Sequence, residues 1–202
     1  MELKAFDSKA TLTRVAQLDA NRQLGFGALC AERLLPNYRA FNRESGWGDA
    51  SPVRAALDFV WRRVFGDAVN QDELRRHVAL CEAAAPESGE HASLFATAAQ
   101  DACFSVCCLL DFMQQNDVGK IVQVATYATD SVDLYVQEIE QMDPADPELE
   151  SRILNHPLMQ RELQQQELDL REIERASSVE PTFWRERLSS WGQGGRSNLG
   201  IE

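Results

Sequence analysis

The sequence predicts an all-α protein: a single-domain bundle of about eight or nine helices around a central buried helix near residues 92–115. Apolar residues recur at spacings of three and four along nearly the whole chain, which is the periodicity of amphipathic helices. Strand-like runs of β-branched residues bounded by turns are missing. The 202 residues, of which 44% are hydrophobic and 26% charged, are enough for one well-packed globular domain.

Three helices are predicted before Gly46. The first covers residues 8–21 and the second residues 21–35, and each has apolar residues gathered on a face of the helix. Pro36 fits the first turn of a short third helix, because a missing N–H costs nothing there. Gly46 then ends that helix, so the chain is expected to turn a corner at Leu35-Pro36.

Two further helices are predicted between residues 51 and 85. Ser51 followed by Pro52 is typical of an N-cap and the first helical position, and Gly66 closes the helix that they open. Asn70, with a glutamate three residues later, resembles a capping box at the start of the next helix. That helix runs to about Ala85 and is stopped by Pro86, and the stretch PESGE at residues 86–90 is predicted to be a loop.

The most apolar stretch covers residues 92–115 and has Ala, Cys, Val, Leu and Phe on every side. A helix that is apolar all round is buried all round, so we expect it at the centre of the bundle. Gln100 and Asp101 interrupt the apolar run, which therefore falls short of the roughly 18 residues that a membrane-spanning helix needs. No membrane association is predicted, and another helix follows over residues 120–142.

The composition becomes polar beyond a linker at residues 143–148. A surface helix with a thin apolar stripe is predicted over residues 157–176, and a short helix over residues 180–191. The glycine-rich end, residues 192–202, is expected to be a flexible tail. The predicted domain organisation is therefore one helical domain, residues 1–191, followed by this tail.

Composition excludes several classes of function. The net charge of −12, with scattered basic residues, argues against binding to nucleic acid or anionic lipid. The N-terminal sequence lacks the apolar core of an export signal, and five cysteines without such a signal are expected to be reduced thiols, so a cytoplasmic location is predicted. No P-loop, Rossmann, zinc-protease or nucleophile-elbow motif occurs, and no cofactor is predicted.

Three motifs carry a resemblance to a known family: ERLLPNYRAFNRESGWGD at residues 32–49, QDAC at residues 100–103 and SNLGI at residues 197–201. They resemble the YjaG-like bacterial proteins, catalogued as domain-of-unknown-function family 416, and the likeness covers most of the chain in the same order. The resemblance implies an all-α, bacterial, cytoplasmic protein. It implies no reaction, cofactor or catalytic residue.

Four polar residues of the first motif are candidates for a binding pocket: Glu32, Arg33, Tyr38 and Asp49. Lining a cleft between two helices, they would offer the acids and bases that acid–base chemistry needs. The alternative is that the stretch is a helix corner, in which proline and glycine shape the turn and aromatic side chains pack on the core. The structural alternative explains every residue type and is preferred.

Asp101 is the fifth pocket candidate, because it lies in the most apolar helix. Burying a carboxylate costs on the order of several kcal/mol unless a cation or hydrogen-bond donors pair with it. Arg33 is the predicted partner, with the Tyr38 hydroxyl second. Such a pair would fix helix register, whereas an unneutralised Asp101 would be a carboxylate of raised pKa at the floor of a pocket.

Two further groups have a possible role in binding. His77 and Cys81 share a helix face, as do Cys103 and Cys107, so these four are weak candidates for a zinc site; core packing is preferred. Trp184 and Trp191, seven residues apart, either anchor the last helix to the bundle or form an interface with a partner.

Two hypotheses of function follow. The preferred one is a non-enzymatic helical protein that binds another protein or itself through exposed apolar or aromatic residues. The alternative is a small-molecule-binding or hydrolytic protein with a polar pocket around Asp101, Arg33, Glu32 and Tyr38.

Overall fold

The predicted all-α fold class is confirmed. The computed structural model describes residues 5–192 and 196–201, the side chains of residues 190–192 excepted, and this part of the chain holds nine α-helices and one short 3-10 turn but no strand. The helices are α1 Ser8–Val15, α2 Ala20–Ser45, α3 Ser51–Val64, α4 Gln71–Ala84, α5 Ala96–Gln115, α6 Val118–Ile139, α7 Leu149–Asn155, α8 Pro157–Arg175 and α9 Pro181–Gly192, and the 3-10 turn is Ser88–Glu90.

Helix α5 is the centre of the bundle, as predicted. It packs most extensively against α2 and α6, and it also contacts α3 and α4. Its burial is incomplete, because the Phe104 side chain is 36% exposed on the side that faces outward. Among the described helices, α5 is long and apolar enough to cross a membrane, but 67% of the window that meets this test is buried inside the protein, as in a core helix.

Most predicted helix boundaries lie within a few residues of the observed ones. The Asn70 side chain accepts hydrogen bonds from the backbone N–H groups of the second and third residues of α4, so this predicted cap is confirmed. The predicted cap at Ser51 is wrong by one residue, because Ala50 precedes α3 and Ser51 is its first residue. Helix α7 follows the predicted linker and has no counterpart among the predicted helices.

The predicted corner at Leu35-Pro36 is wrong, because Pro36 lies inside α2, which is one continuous helix of 26 residues. A proline inside a helix removes one hydrogen bond and crowds the preceding turn. In that turn the Arg33 carbonyl accepts a hydrogen bond, 3.1 Å long, from the backbone N–H of Asn198. The C-terminal segment therefore supplies a donor beside the point where proline weakens the helix.

The C-terminal segment is part of the domain and not a flexible tail at Ser197, Asn198 and Leu199, all of which are buried. The Asn198 side chain has three hydrogen-bond partners, namely the carbonyl of Ala128 at 2.8 Å, the hydroxyl of Ser131 at 2.7 Å and the amide of Asn37 at 2.8 Å. Residues 193–195 and residue 202 of the predicted tail lie outside the described part of the chain. The first and last family-like motifs are thus in direct contact.

A buried ionic cluster joins α2 to α8. The Arg33 guanidinium donates two hydrogen bonds to Glu162 and one to Asp169, each 2.8 Å long, and all three side chains are almost fully buried. Burial alone would lower the pKa of Arg33, but Glu162, Asp169 and the other neighbouring groups together outweigh it, and the pKa is raised well above its usual range. Burial raises the pKa of Asp169 despite the neighbouring guanidinium.

This cluster corrects the prediction that α8 is a surface helix. Its apolar stripe is buried as expected, but the same side also carries the buried Glu162 and Asp169. Arg33 explains the difference, because it supplies from α2 the charge and the donors that two carboxylates need in order to leave water.

Replacing Arg33 by Met should destabilise the protein by about 3–5 kcal/mol, because two carboxylates would remain buried without a cation. Replacing all three charged residues together, Arg33→Met with Glu162→Leu and Asp169→Leu, should bring the free energy of unfolding back to within about 2 kcal/mol of the parent. Urea unfolding followed by circular dichroism measures both. Arg152→Met, which breaks the exposed pair with Asp146, is the control and should cost no more than about 1 kcal/mol.

Replacing Asn198 by Ala should cost about 2–3 kcal/mol, because it leaves the buried Asn37 amide without a hydrogen-bond partner and removes the donor to the Ala128 carbonyl and the Ser131 hydroxyl. Asn155→Ala removes an asparagine whose amide bonds an exposed carbonyl, and should change stability by less than about 1 kcal/mol. Equal effects of the two substitutions on the urea midpoint would contradict a structural role for the C-terminal segment.

Candidate binding groove

The structure does not bring the predicted pocket residues together. Glu32 accepts hydrogen bonds from both terminal nitrogens of Arg54, at 2.7 and 2.8 Å, and from the indole nitrogen of Trp61 at 2.7 Å. These contacts tie α2 to α3. Its neighbour Arg33 is enclosed in the α2–α8 cluster, so the two residues serve different interfaces of the same helix.

Tyr38 and Asp49 also have structural contacts. The Tyr38 hydroxyl donates to the carbonyl of Ala84 at 2.7 Å, and burial raises the pKa of Tyr38 to about 12. Gly48 has a positive φ of 80°, and a Cβ there would lie 2.6 Å from this hydroxyl, so glycine is required. Asp49 is exposed, and hydrogen bonds from the side chain and then the backbone N–H of Ser51 lower its pKa. The structural interpretation of this motif agrees with these contacts.

Asp101 is enclosed, as predicted, but its predicted partners are wrong. The residue is 7% exposed, and its Oδ2 atom is buried without a hydrogen-bond partner. Arg33 and Tyr38 bond elsewhere, as described above. Burial, and then the negative charge of Asp130 on α6, raises the pKa of Asp101 to about 7. Asp101 is thus a buried carboxyl group with unused hydrogen-bonding capacity.

The four weak metal candidates are arranged as packing residues. The His77 ring lies 4.9 Å from the ring of Phe59, and the Cys81 thiol donates to the carbonyl of Cys103 at 3.5 Å. Cys103 is buried and Cys107 partly buried, both as free thiols. Within the described residues, no group of three or more His, Cys, Asp or Glu is arranged to hold a metal ion.

Trp184 anchors α9 to the bundle. Its side chain is fully buried, and its ring centroid lies 6.2 Å from that of Trp61. A Cβ at Gly25 would overlap the indole, so glycine at this point of α2 makes room for it. An interface role for Trp184 is therefore wrong. The Trp191 side chain lies outside the described part of the chain.

A groove of about 530 Å³ lies between the segment that leads into α5 and the second half of α6. The segment 91–98 forms one wall and α6 the other; the lining residues are His91, Ala92, Ser93, Leu94, Thr97, Ala98, Ser131, Leu134, Tyr135 and Glu138. These are ordinary residue types without a motif, which is why sequence reasoning misses the groove. One signal does exist, since Leu134 falls off the apolar face of α6 formed by Ile121, Ala125, Ala128 and Val132.

Large apolar side chains are exposed along this groove. Leu134 is 48% exposed and Leu94 is 37% exposed, one on each wall. At one end the His91 ring lies 5.0 Å from the ring of Trp47, which is itself 38% exposed and belongs to the first family-like motif. Exposed aromatic and aliphatic side chains around a concavity are typical of a binding surface.

The polar groups of the groove are not arranged as a catalytic set. The Ser93 hydroxyl donates to Glu44, and the Ser131 hydroxyl donates to the Ala128 carbonyl. The contacts of His91 are ring contacts with Phe41 and Trp47 and not a hydrogen bond to a hydroxyl. A nucleophile activated by a base is therefore not assembled among the lining residues.

The fold and this groove define a class, a single-domain helical bundle with an open cleft beside its central helix pair. The chain belongs to the DUF416 family of proteins of unknown function, whose family model matches residues 10–202. This confirms the family resemblance of the three motifs.

Comparison with solved structures supports the same fold. The chain is similar to the crystal structure of a DUF416 family protein from Shewanella baltica OS155, with 23% sequence identity and a TM-score of 0.86. The match covers 98% of this chain and 100% of the other. No curated protein matches the sequence.

The raised pKa of Asp101 predicts that stability falls as pH rises. Between the ordinary value of 3.8 and about 7, an unfolded chain has lost the Asp101 proton while the folded protein retains it, so rising pH favours unfolding. The full cost, on the order of 4 kcal/mol, is reached above pH 7 and vanishes below pH 4.

Asp101→Asn, which mimics the protonated acid, should therefore stabilise the protein at pH 8 and leave it nearly unchanged at pH 4. Urea unfolding at both pH values measures the difference. Asp67→Asn, which alters an exposed carboxylate, is the control and should shift the two stabilities equally. A stabilisation by Asp101→Asn that is the same at pH 4 and pH 8 would contradict the shift.

Proposed function

We propose that this protein is a non-enzymatic binding module that holds an amphipathic segment of another protein in the groove between residues 91–98 and α6. The observation that carries the proposal is the exposure of Leu94 and Leu134 on the two walls of one groove, with the exposed Trp47 in contact with the lining residue His91. Aromatic and aliphatic side chains that project beside a groove are the anchors on which helical peptides commonly dock.

The charge of the surface favours a basic partner. Glu138 lines the groove, none of the lining residues is Lys or Arg, and Asp130 and Asp133 precede it on α6. The whole chain has a net charge of −12. Apolar contacts would provide affinity, while Lys or Arg residues of the partner would meet this acidic rim.

A second copy of the chain fits the groove less well. Self-association through this surface would bring the acidic residues of two copies together, and like charges oppose docking. The proposal therefore commits to a different protein as partner. It also places the protein in the cytoplasm, which the free thiols of all five cysteines support.

The groove residues support binding in preference to hydrolysis. A volume of about 530 Å³ would also suit a small molecule, but the lining hydroxyls bond to Glu44 and to a backbone carbonyl. The residues of the alternative hypothesis, Arg33, Glu32 and Tyr38, bond within separate helix interfaces. These residues therefore do not form a common polar pocket.

Selection from a displayed library of random 16-residue peptides tests the proposal. The enriched peptides should combine aliphatic or aromatic residues at helical spacing with Lys or Arg. Their affinity, measured by fluorescence anisotropy, should fall at least tenfold in the Leu134→Glu variant, since the substitution removes an apolar contact at the groove.

Leu80→Glu is the matched control, because Leu80 on α4 is 46% exposed, is not among the residues that line the groove, and gains the same charge. Peptide binding that is reduced equally by Leu80→Glu would contradict the groove as the site. A dimer in light scattering that Leu134→Glu dissociates would assign the surface to a second copy and overturn the choice of partner.

A further inference from the structure

Asp101 differs from the other buried acids in the described part of the chain. Glu162 and Asp169 both accept hydrogen bonds from Arg33, whereas Asp101 has a buried Oδ2 atom without any partner. The second influence on its ionisation, after burial, is another carboxylate, Asp130. A buried carboxylate oxygen without a hydrogen-bond donor destabilises the folded protein, and no contact within the described residues offsets this cost. A bound ligand that supplies the missing donor would offset it.

The register of α5 and α6 shows where this carboxyl group lies. The two helices are antiparallel neighbours joined by a short turn, and the Cys108 thiol donates to the Gln123 side chain across them. One turn further from the connection, the rings of Phe104 and Tyr127 lie 6.1 Å apart. Asp101 comes next on α5, which places it opposite Asp130 on α6.

The following turn of both helices belongs to the groove. Thr97 and Leu134, the next pair in this register, are both lining residues. Asp101 therefore lies between the groove on one side and the Phe104–Tyr127 ring pair on the other. A segment bound in the groove and extended along α5 and α6 would pass over the two carboxylates.

The surroundings of the acid pair suit a cation. Asp130 is exposed, and the negative charge of Asp133 acts on it from the next turn of α6. The ring of Phe104, which is 36% exposed, lies beside that of Tyr127. The phenol of Tyr127 is close enough to Asp101 to interact with its negative charge. Carboxylates provide hydrogen-bond acceptors, and the faces of aromatic rings attract an ammonium group.

We infer that Asp101 and Asp130, with the rings of Phe104 and Tyr127, form a binding site for an organic ammonium group such as that of a lysine side chain. Asp101, which keeps 7% of its surface exposed, accepts a hydrogen bond from the ammonium group, and Asp130 neutralises that group from the exposed side. The inference rests on the proposed function, because the ammonium group belongs to the basic residue of the segment bound in the groove.

Hexylammonium chloride is the probe, and hexan-1-ol is its neutral counterpart. Isothermal titration calorimetry at pH 8 should show saturable binding of the amine at one site and no binding of the alcohol at the same concentrations. Asp101→Asn should weaken amine binding at least tenfold, and Phe104→Leu, which keeps an apolar side chain but removes the ring, should weaken it several-fold. Asp67→Asn removes one exposed carboxylate and should leave the affinity unchanged.

A spectroscopic readout separates a binding role from a structural one. In carbon-13 NMR the side-chain carboxyl carbon of Asp101 should titrate near pH 7 in the free protein and at lower pH with the amine, because a bound cation favours the ionised form. Equal binding of the alcohol, or amine binding that survives Asp101→Asn in a folded variant, would overturn the inference.

The outcomes also separate this inference from the proposed function. Selected peptides in which norleucine replaces lysine should lose at least tenfold in affinity for the parent protein and little for Asp101→Asn. If peptides bind the groove but Asp101→Asn changes neither peptide nor amine binding, the ammonium site is wrong and the groove stands. If the amine binds and no peptide does, the site takes a free amine and the proposed function fails.

Discussion

The Arg33 guanidinium holds together the parts of the molecule that are most distant in the chain. Its three hydrogen bonds to Glu162 and Asp169 fasten α8 against α2, and the carbonyl of the same residue receives the N–H of Asn198. Charged groups that are buried in this way are tolerated only when their hydrogen bonds are satisfied, so the relative placement of α2 and α8 is tightly constrained. The family-like motifs at the two ends of the chain meet here, through the contacts of Asn198 with Arg33 and Asn37. Pro36 weakens a helix that the C-terminal segment then supports.

That constraint leaves the outer face of the α5–α6 pair uncovered. Helices α2, α3 and α4 cover the other sides of α5, and the C-terminal segment contacts α6 through Ala128 and Ser131. The uncovered face holds exposed apolar side chains and an acid without a partner, whereas the inner interfaces pair their buried acids with arginine. Among the buried acids of the described residues, Asp101 is the one that is not paired with a cation, so this unused capacity for binding lies beside the uncovered face.

How far sequence reasoning reached depended on the range of the interactions involved. Helix periodicity, the Asn70 cap and the central position of α5 depend on residues close together in the chain, and all were predicted. The burial of Asp101 was also predictable, because its immediate neighbours are apolar. The lack of a partner for Asp101 was not predictable, because Arg33 pairs instead with Glu162 and Asp169, and the positions of these two residues depend on the packing of α8. Pro36 misled for the same reason, because the donor near it in α2 comes from the distant Asn198.

The amino-acid sequence by itself determined the helical class, the core helix, the acidic character and the enclosure of one carboxylate, because each follows from composition or from a spacing of a few residues. Only the tertiary structure decided which acids are neutralised, that the last residues belong to the domain, and where a groove opens. The first two outcomes depend on pairs more than a hundred residues apart, such as Arg33 with Glu162 and Asn37 with Asn198, and the groove depends on the placement of residues 91–98 beside residues 131–138; the packing of whole helices sets all of these contacts. Local patterns carry no information about such distances.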